Sequence, residues 1–96
     1  MRHMRILIVE DERNMQAVLK LLFEGRGYEA VCVSDGLEAL RELDADCGFC
    51  AVVSDFKMDH MDGMGLLKAM RERGVAIPFI LITAYGTVEK AVEAMK

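Results

Sequence analysis

The sequence has no apolar run able to cross a bilayer. Its longest, Val75 to Ala84, is well short of the ~20 residues a spanning helix needs. Its N-terminus also lacks the positive, then apolar, then small-residue order of a signal peptide, and Met1 to His3 carry no structural signal of their own. Both absences lead to the expectation of a soluble cytoplasmic protein with no membrane partner. Basic clusters are missing as well. The 12 Lys and Arg residues are scattered among 16 Asp and Glu, for a net charge of -4, which disfavours binding along a phosphate backbone. Nucleic acid is not expected as a direct partner. Histidine is scarce, and Cys32, Cys47 and Cys50 fall short of a zinc site, because His3 and His60 lie at no ligand spacing. The Cys47–Cys50 pair leads into a strand rather than opening a helix, unlike a thioredoxin motif. Small, partly buried structural thiols in a reducing compartment are expected, with surface roles for both histidines. No repeat, low-complexity tract or linker divides the 96 residues, which make one domain.

Short apolar runs alternate with helical periods four times over, as expected of βα units around a parallel sheet. Ile6 to Val9 is continuously apolar, as a strand buried on both faces requires. Met15, Val18, Leu19 and Leu22 then recur at helical spacing, and Gly25 and Gly27 supply the stop. Tyr28 to Val33 alternates more and predicts a strand nearer an edge. Asp35 with Glu38 resembles a capping box before a helix bearing Leu37, Leu40 and Leu43. Phe49 to Ser54 predicts the third strand. After a loop with Gly63 and Gly65, a third helix carries Met64, Leu67 and Met70 and closes at Gly74. Ile77 to Ile82 predicts the fourth strand, with the single proline, Pro78, near its start. Thr87 then suits an N-cap, and Val88, Ala91, Val92 and Met95 share one face of a final helix. The eight methionines are expected mainly as core filler.

In open α/β sheets, ligands bind beyond the carboxyl ends of the strands, near the point where strand order reverses. Glu10 and Asp11 follow the first strand, Asp55 the third and Thr83 the fourth. Each has an ordinary reading: Asp55 as a turn residue, the acidic pair as helix-start charges, Thr83 as a β-former. Together at one rim they suggest more. If the first and third strands are neighbours, their ends lie about 4.8 Å apart and three carboxylates converge. Such charges repel unless a cation joins them, and hard oxygen ligands suit Mg2+. The turn "VEDERN" offers no glycine-rich cradle for a nucleotide. An aspartate can itself be the nucleophile in phosphoryl transfer, with Asp55 the candidate by position and the Thr83 hydroxyl a donor to the phosphoryl group.

The stretches "ILIVEDE", "VVSDFKMDHMDGMGLL" and "PFILITAYGTVEKAVEAMK" resemble the receiver domain of two-component response regulators over residues 4 to 96. Their wording is most similar to receivers attached to AAA+ enhancer-binding transcription activators. The resemblance implies a flavodoxin-like, three-layer α/β fold with strand order 2-1-3-4. It further implies that Asp55 accepts phosphate from a sensor histidine kinase, that Asp11 and Asp55 ligate Mg2+, that Glu10 acts through a metal-bound water, and that the Lys57 backbone carbonyl completes the protein ligands. Thr83 would be the switch hydroxyl, with Ala84 its small neighbour. A C-terminal transcription-regulatory output domain, absent from this chain, would receive the signal.

Two departures stand out. Where the family often has Met-Pro-Gly-Met-Asp-Gly, this chain has Met58-Asp59-His60-Met61-Asp62-Gly63. It also ends at Lys96, ahead of the family's fifth strand and helix, which carry a lysine and an aromatic residue of the switch. Lys57, Lys90, Lys96 and Tyr85 do not take those places. An open fourth strand and a partly bare sheet face then lead to the expectation of a homodimer or higher oligomer, or of a fragment of a longer regulator. A receiver is not expected to be an enzyme. An aspartyl-phosphate phosphatase of the haloacid dehalogenase type wants an acid two residues after its nucleophile, and Lys57 stands there. A non-phosphorylating, self-associating scaffold is the remaining alternative.

Overall fold

The structure, a computed structural model, describes residues 4–45, 48–55 and 61–82. Strands β1 (Met4–Val9) and β3 (Phe49–Asp55) form the centre of a parallel sheet, flanked by β2 (Tyr28–Val33) and β4 (Phe79–Ile82) in the order β2-β1-β3-β4. The order is the expected one. Its cause is visible in β1, where Ile6 to Val9 are buried on both faces and so cannot sit at an edge.

Helix α1 (Arg13–Glu24) covers one face, while α2 (Gly36–Ala45) and α3 (Gly63–Glu72) cover the other, giving three layers. Leu7, Val9, Val52, Phe79 and Leu81 pack with Leu40, Leu43, Leu66, Leu67 and Met70 of the helix pair. Ile6, Ile8 and Val53 pack beneath Leu19 and Phe23. The expected fourth helix, Thr87 onward, and residues Cys47, His60, Ala84 and Tyr85 lie outside the described residues. Cys32 and Cys50 are free, half-buried thiols against the α1 side of the sheet. No helix among the described residues is long and apolar enough to cross a membrane.

Three local expectations are corrected. Of the α1 face read from spacing, only Leu19 is buried, while Val18 and Leu22 are 59% and 54% exposed. The helix leans on β2 and β1, so its inward stripe is Gln16, Leu19 and Phe23. Gly63 and Gly65 belong to the first turn of α3 rather than to a loop, because Asp62 caps that helix by accepting a hydrogen bond from the Gly65 amide at 2.7 Å. β4 starts at Phe79 rather than Ile77. Pro78 has no N–H to pair, although its carbonyl accepts from the Val52 amide at 2.9 Å.

The capping box of α2 forms, with the Glu38 amide donating to Asp35 Oδ1 at 2.9 Å and Glu38 reaching back to the Ser34 amide at 2.6 Å. Gly36, just inside that helix, lies against Met61, and a Cβ added there would come within 2.8 Å of the Met61 Cβ. That close approach ties α2 to the segment leading into α3. Gly27 and Gly74 end α1 and α3 with φ of +91° and +76°, a region side chains disfavour.

Methionine usage is mixed: Met70 is fully buried, whereas Met64 is 39% exposed. Met70→Ala is expected to lower folding stability by about 2–5 kcal/mol in urea titrations, and Met64→Ala by less than about 1 kcal/mol. Gly36→Ala is expected to cost about 1–3 kcal/mol in the same measurement, because the Met61 Cβ cannot swing away as a side-chain tip would.

Candidate functional site

Parallel pairing sets the geometry of the rim. Val9 is level with Ser54, and Asp55 with Ile82, so the residues that leave β1 emerge beside the end of β3. One carboxylate oxygen from each of Glu10, Asp11 and Asp55 lies within 4.8 Å of the other two. The three acids expected to converge do so. Glu10 is buried, Asp55 half-buried and Asp11 exposed, so the cluster grades from the sheet interior to solvent. Lys57 and Thr83 lie outside the described residues.

Like charges at this spacing are held apart from ordinary carboxylate behaviour. The Glu10 carboxyl is pushed up to about 7, chiefly by burial, then by its hydrogen bond with Asp55 and by repulsion from Asp55 and Asp11. A proton between Glu10 and Asp55 thus relieves the site. The second oxygen of that carboxyl, Glu10 Oε2, is buried and makes no hydrogen bond among the described residues. A buried oxygen without a donor, beside two further carboxylates, fits a cation or its bound water better than it fits a finished salt-bridge network. Hard oxygens alone, with no thiolate or imidazole among them, favour Mg2+ over zinc.

The turn bearing Glu10 and Asp11 is secured from α1. Glu12, the N-cap residue, makes no side-chain capping bond. Instead the Gln16 amide group donates to the Glu10 carbonyl and, at 3.3 Å, to the Val33 carbonyl at the end of β2. Val33 also accepts from the Glu10 amide at 3.0 Å. On the other strand, fully buried Ser54 donates its hydroxyl to the Asp55 carbonyl at 2.9 Å. Sequence reasoning missed Gln16 and Ser54. The readable signal was a polar residue one turn before Leu19 on the inward stripe of α1, and it became legible only once that stripe was placed.

Known proteins share much of this sequence and fold. A family model described as the response regulator receiver domain matches residues 6–96. The regulatory protein AtoC of Escherichia coli is 45% identical over 92 residues, spanning 96% of this chain and 20% of that protein. The response regulator protein FleR of Pseudomonas aeruginosa is 41% identical over 92 residues, covering 96% of this chain and 19% of FleR. The chain therefore spans about a fifth of these relatives. Among solved structures, a response regulator receiver domain protein from Clostridium thermocellum superposes with a TM-score of 0.84 at 29% identity, over 96% of this chain and 74% of its own. The Thermotoga maritima response regulator TrrA, solved in complex with Mg2+ and BeF, gives a TM-score of 0.84 at 28% identity, over 97% and 82% of the two chains. A four-stranded 2-1-3-4 sheet, an acidic triad at its rim and a family match over nearly the whole length lead to one conclusion: the chain belongs to the response regulator receiver domain family.

Proposed function

We propose that this chain is the phosphoacceptor switch of a two-component system and that Asp55 is its acceptor. The observation that supports this most is the convergence of Glu10, Asp11 and Asp55 at the end of the central strands, with a buried Glu10 oxygen lacking a donor among the described residues. In the reaction proposed, an Asp55 oxygen attacks the phosphorus of a phosphohistidine on a sensor kinase. A new O–P bond forms, the N–P bond breaks, and its electron pair returns to the imidazole. Asp11 and Asp55 would hold Mg2+ together with the Lys57 carbonyl, and Glu10 would act through a bound water. The ion, when bound, supplies positive charge to the phosphoryl oxygens.

The remaining chemistry belongs to the chain. β3 presents Asp55 at a fixed height, Ser54 holds its carbonyl, and burial of Glu10 keeps a carboxyl ready to exchange a proton for a cation. The Thr83 hydroxyl would donate to the phosphoryl group, whose charge of roughly -1.5 to -2 biases the segment after β4. The output would be transcriptional regulation by a C-terminal domain, as the resemblance to receivers of AAA+ enhancer-binding transcription activators implies. One phosphoryl group per chain, rather than turnover, makes the domain a switch and not an enzyme. The proposed setting is the cytoplasm, where the kinase's phosphohistidine is found, with no direct contact to nucleic acid or membrane.

A second reading, a self-associating scaffold that takes no phosphate, draws on the exposed apolar side chains of Val18, Leu21 and Leu22 on α1. Intact mass separates the two. After incubation with Mg2+ and a small-molecule phosphodonor, one added phosphoryl group is expected on the wild-type chain and none on Asp55→Asn. A folded wild-type chain with no mass gain, and an oligomer by light scattering, would favour the scaffold.

The pH dependence has a definite sign. Folding raises the Glu10 carboxyl from 4.5 to about 7, so between these values the folded, metal-free chain holds a proton that the unfolded chain has lost. Metal-free stability should therefore fall as pH rises through that window, by up to about 3 kcal/mol, and Glu10→Gln should flatten the decline. Mg2+ competes with the same proton, so its affinity should rise across the same range. Urea titrations at several pH values, with and without Mg2+, check both.

A further inference from the structure

We infer that Gln16 is a positioning residue that presets the acidic site for Mg2+ by fixing the peptide unit between Glu10 and Asp11. The inference rests on the magnesium reading proposed above. The carbonyl that Gln16 engages belongs to the peptide plane joining these two acids, so one hydrogen bond orients the backbone from which both carboxylates project. The same side-chain amino group reaches Val33 O at 3.3 Å, and the Glu10 amide donates to that carbonyl at 3.0 Å. Glu10 is thus gripped at its N–H by β2 and at its C=O by α1. The assignment of the amide is forced by chemistry: both groups facing the amino nitrogen are carbonyl oxygens, which only the NH2 end can satisfy.

A preset turn is needed here for an electrostatic reason. Without a cation, Glu10, Asp11 and Asp55 repel one another, and a free turn would relax by swinging the first two away from β3. The N-cap residue does not hold it, since Glu12 makes no side-chain cap. Gln16 sits on the inward stripe of α1 with Leu19 and Phe23, so its side chain faces the sheet and reaches the strand ends directly. Its backbone carbonyl also faces the Cys32 thiol on β2 at 4.0 Å, a further tie on the same side. Orienting groups behind metal ligands typically change affinity by about 10- to 100-fold when removed.

The test compares Mg2+ dissociation constants by calorimetry for the wild type, Gln16→Met, which keeps shape and loses the donors, and Leu19→Ala, which loosens α1 without touching the turn. The expected result is affinity about 10-fold weaker in folded Gln16→Met and unchanged in Leu19→Ala, although Leu19→Ala unfolds at lower urea. Equal affinity in wild type and Gln16→Met, or equal weakening in both variants, would overturn the inference. A wild-type chain that binds no Mg2+ would overturn the functional reading and this inference with it, whereas binding that ignores Gln16 removes the inference alone. If Gln16→Met does not fold, the wild type still decides. Gln16 is the sole glutamine of the chain, so its side-chain amide protons are identifiable in NMR spectra. Slow exchange with solvent and a shift on adding Mg2+, with the same midpoint as the Glu10 and Asp11 amides, are expected. Fast exchange and no shift would overturn the clamp.

Discussion

The parallel pairing of β1 with β3 is the constraint on which the rest of the structure depends. Both strands are buried on both faces, so they take the middle of the sheet, and the register that levels Val9 with Ser54 sends their ends to the same rim. Once that pairing is made, Glu10, Asp11 and Asp55 have nowhere to go but toward one another. Core packing thereby supplies the work of bringing like charges together. The raised Glu10 carboxyl is the sign of that work.

The energetics of the site and of the fold are opposed for the same reason. A buried carboxyl that keeps its proton to about 7 weakens the folded state wherever solution favours the charged form. On the function proposed, a cation would relieve this tension in a way a salt bridge to lysine or arginine would not, because an ion could leave and a phosphoryl group could approach it. The scaffold around the acids is correspondingly firm. Gln16 holds the β1 turn, Ser54 the β3 end, and Asp62 with the Gly36–Met61 contact the start of α3. Membership of the receiver family thus coincides with an acidic rim at which the fold gives up stability.

Much of this was legible in the residues, and the failures have physical causes. The continuous apolar run of Ile6 to Val9 marked β1 as a strand buried on both faces, and the Asp35–Glu38 spacing announced the cap of α2, because these signals act within a few residues of themselves. Spacing could not tell which side of α1 faces the sheet. Met15, Val18, Leu19 and Leu22 make as good a stripe as Gln16, Leu19 and Phe23, and only the lean of the helix toward β2 chose between them. Gln16 was overlooked with the stripe to which it belongs. Gly63 and Gly65 suggested a loop, but the Asp62 cap overcame their weak helix propensity.

The sequence by itself determined the succession of strands and helices along the chain, the acidic residues at strand ends and the hard oxygen donors they would offer a cation, since each follows from residue type and local periodicity. The tertiary structure alone decided that three oxygens fall within 4.8 Å, that one Glu10 oxygen is buried without a donor among the described residues, and that a glutamine from α1 grips the turn between two acids. These depend on strand register and helix tilt, which are set by packing between segments far apart in the chain and so leave no mark in the local pattern of either.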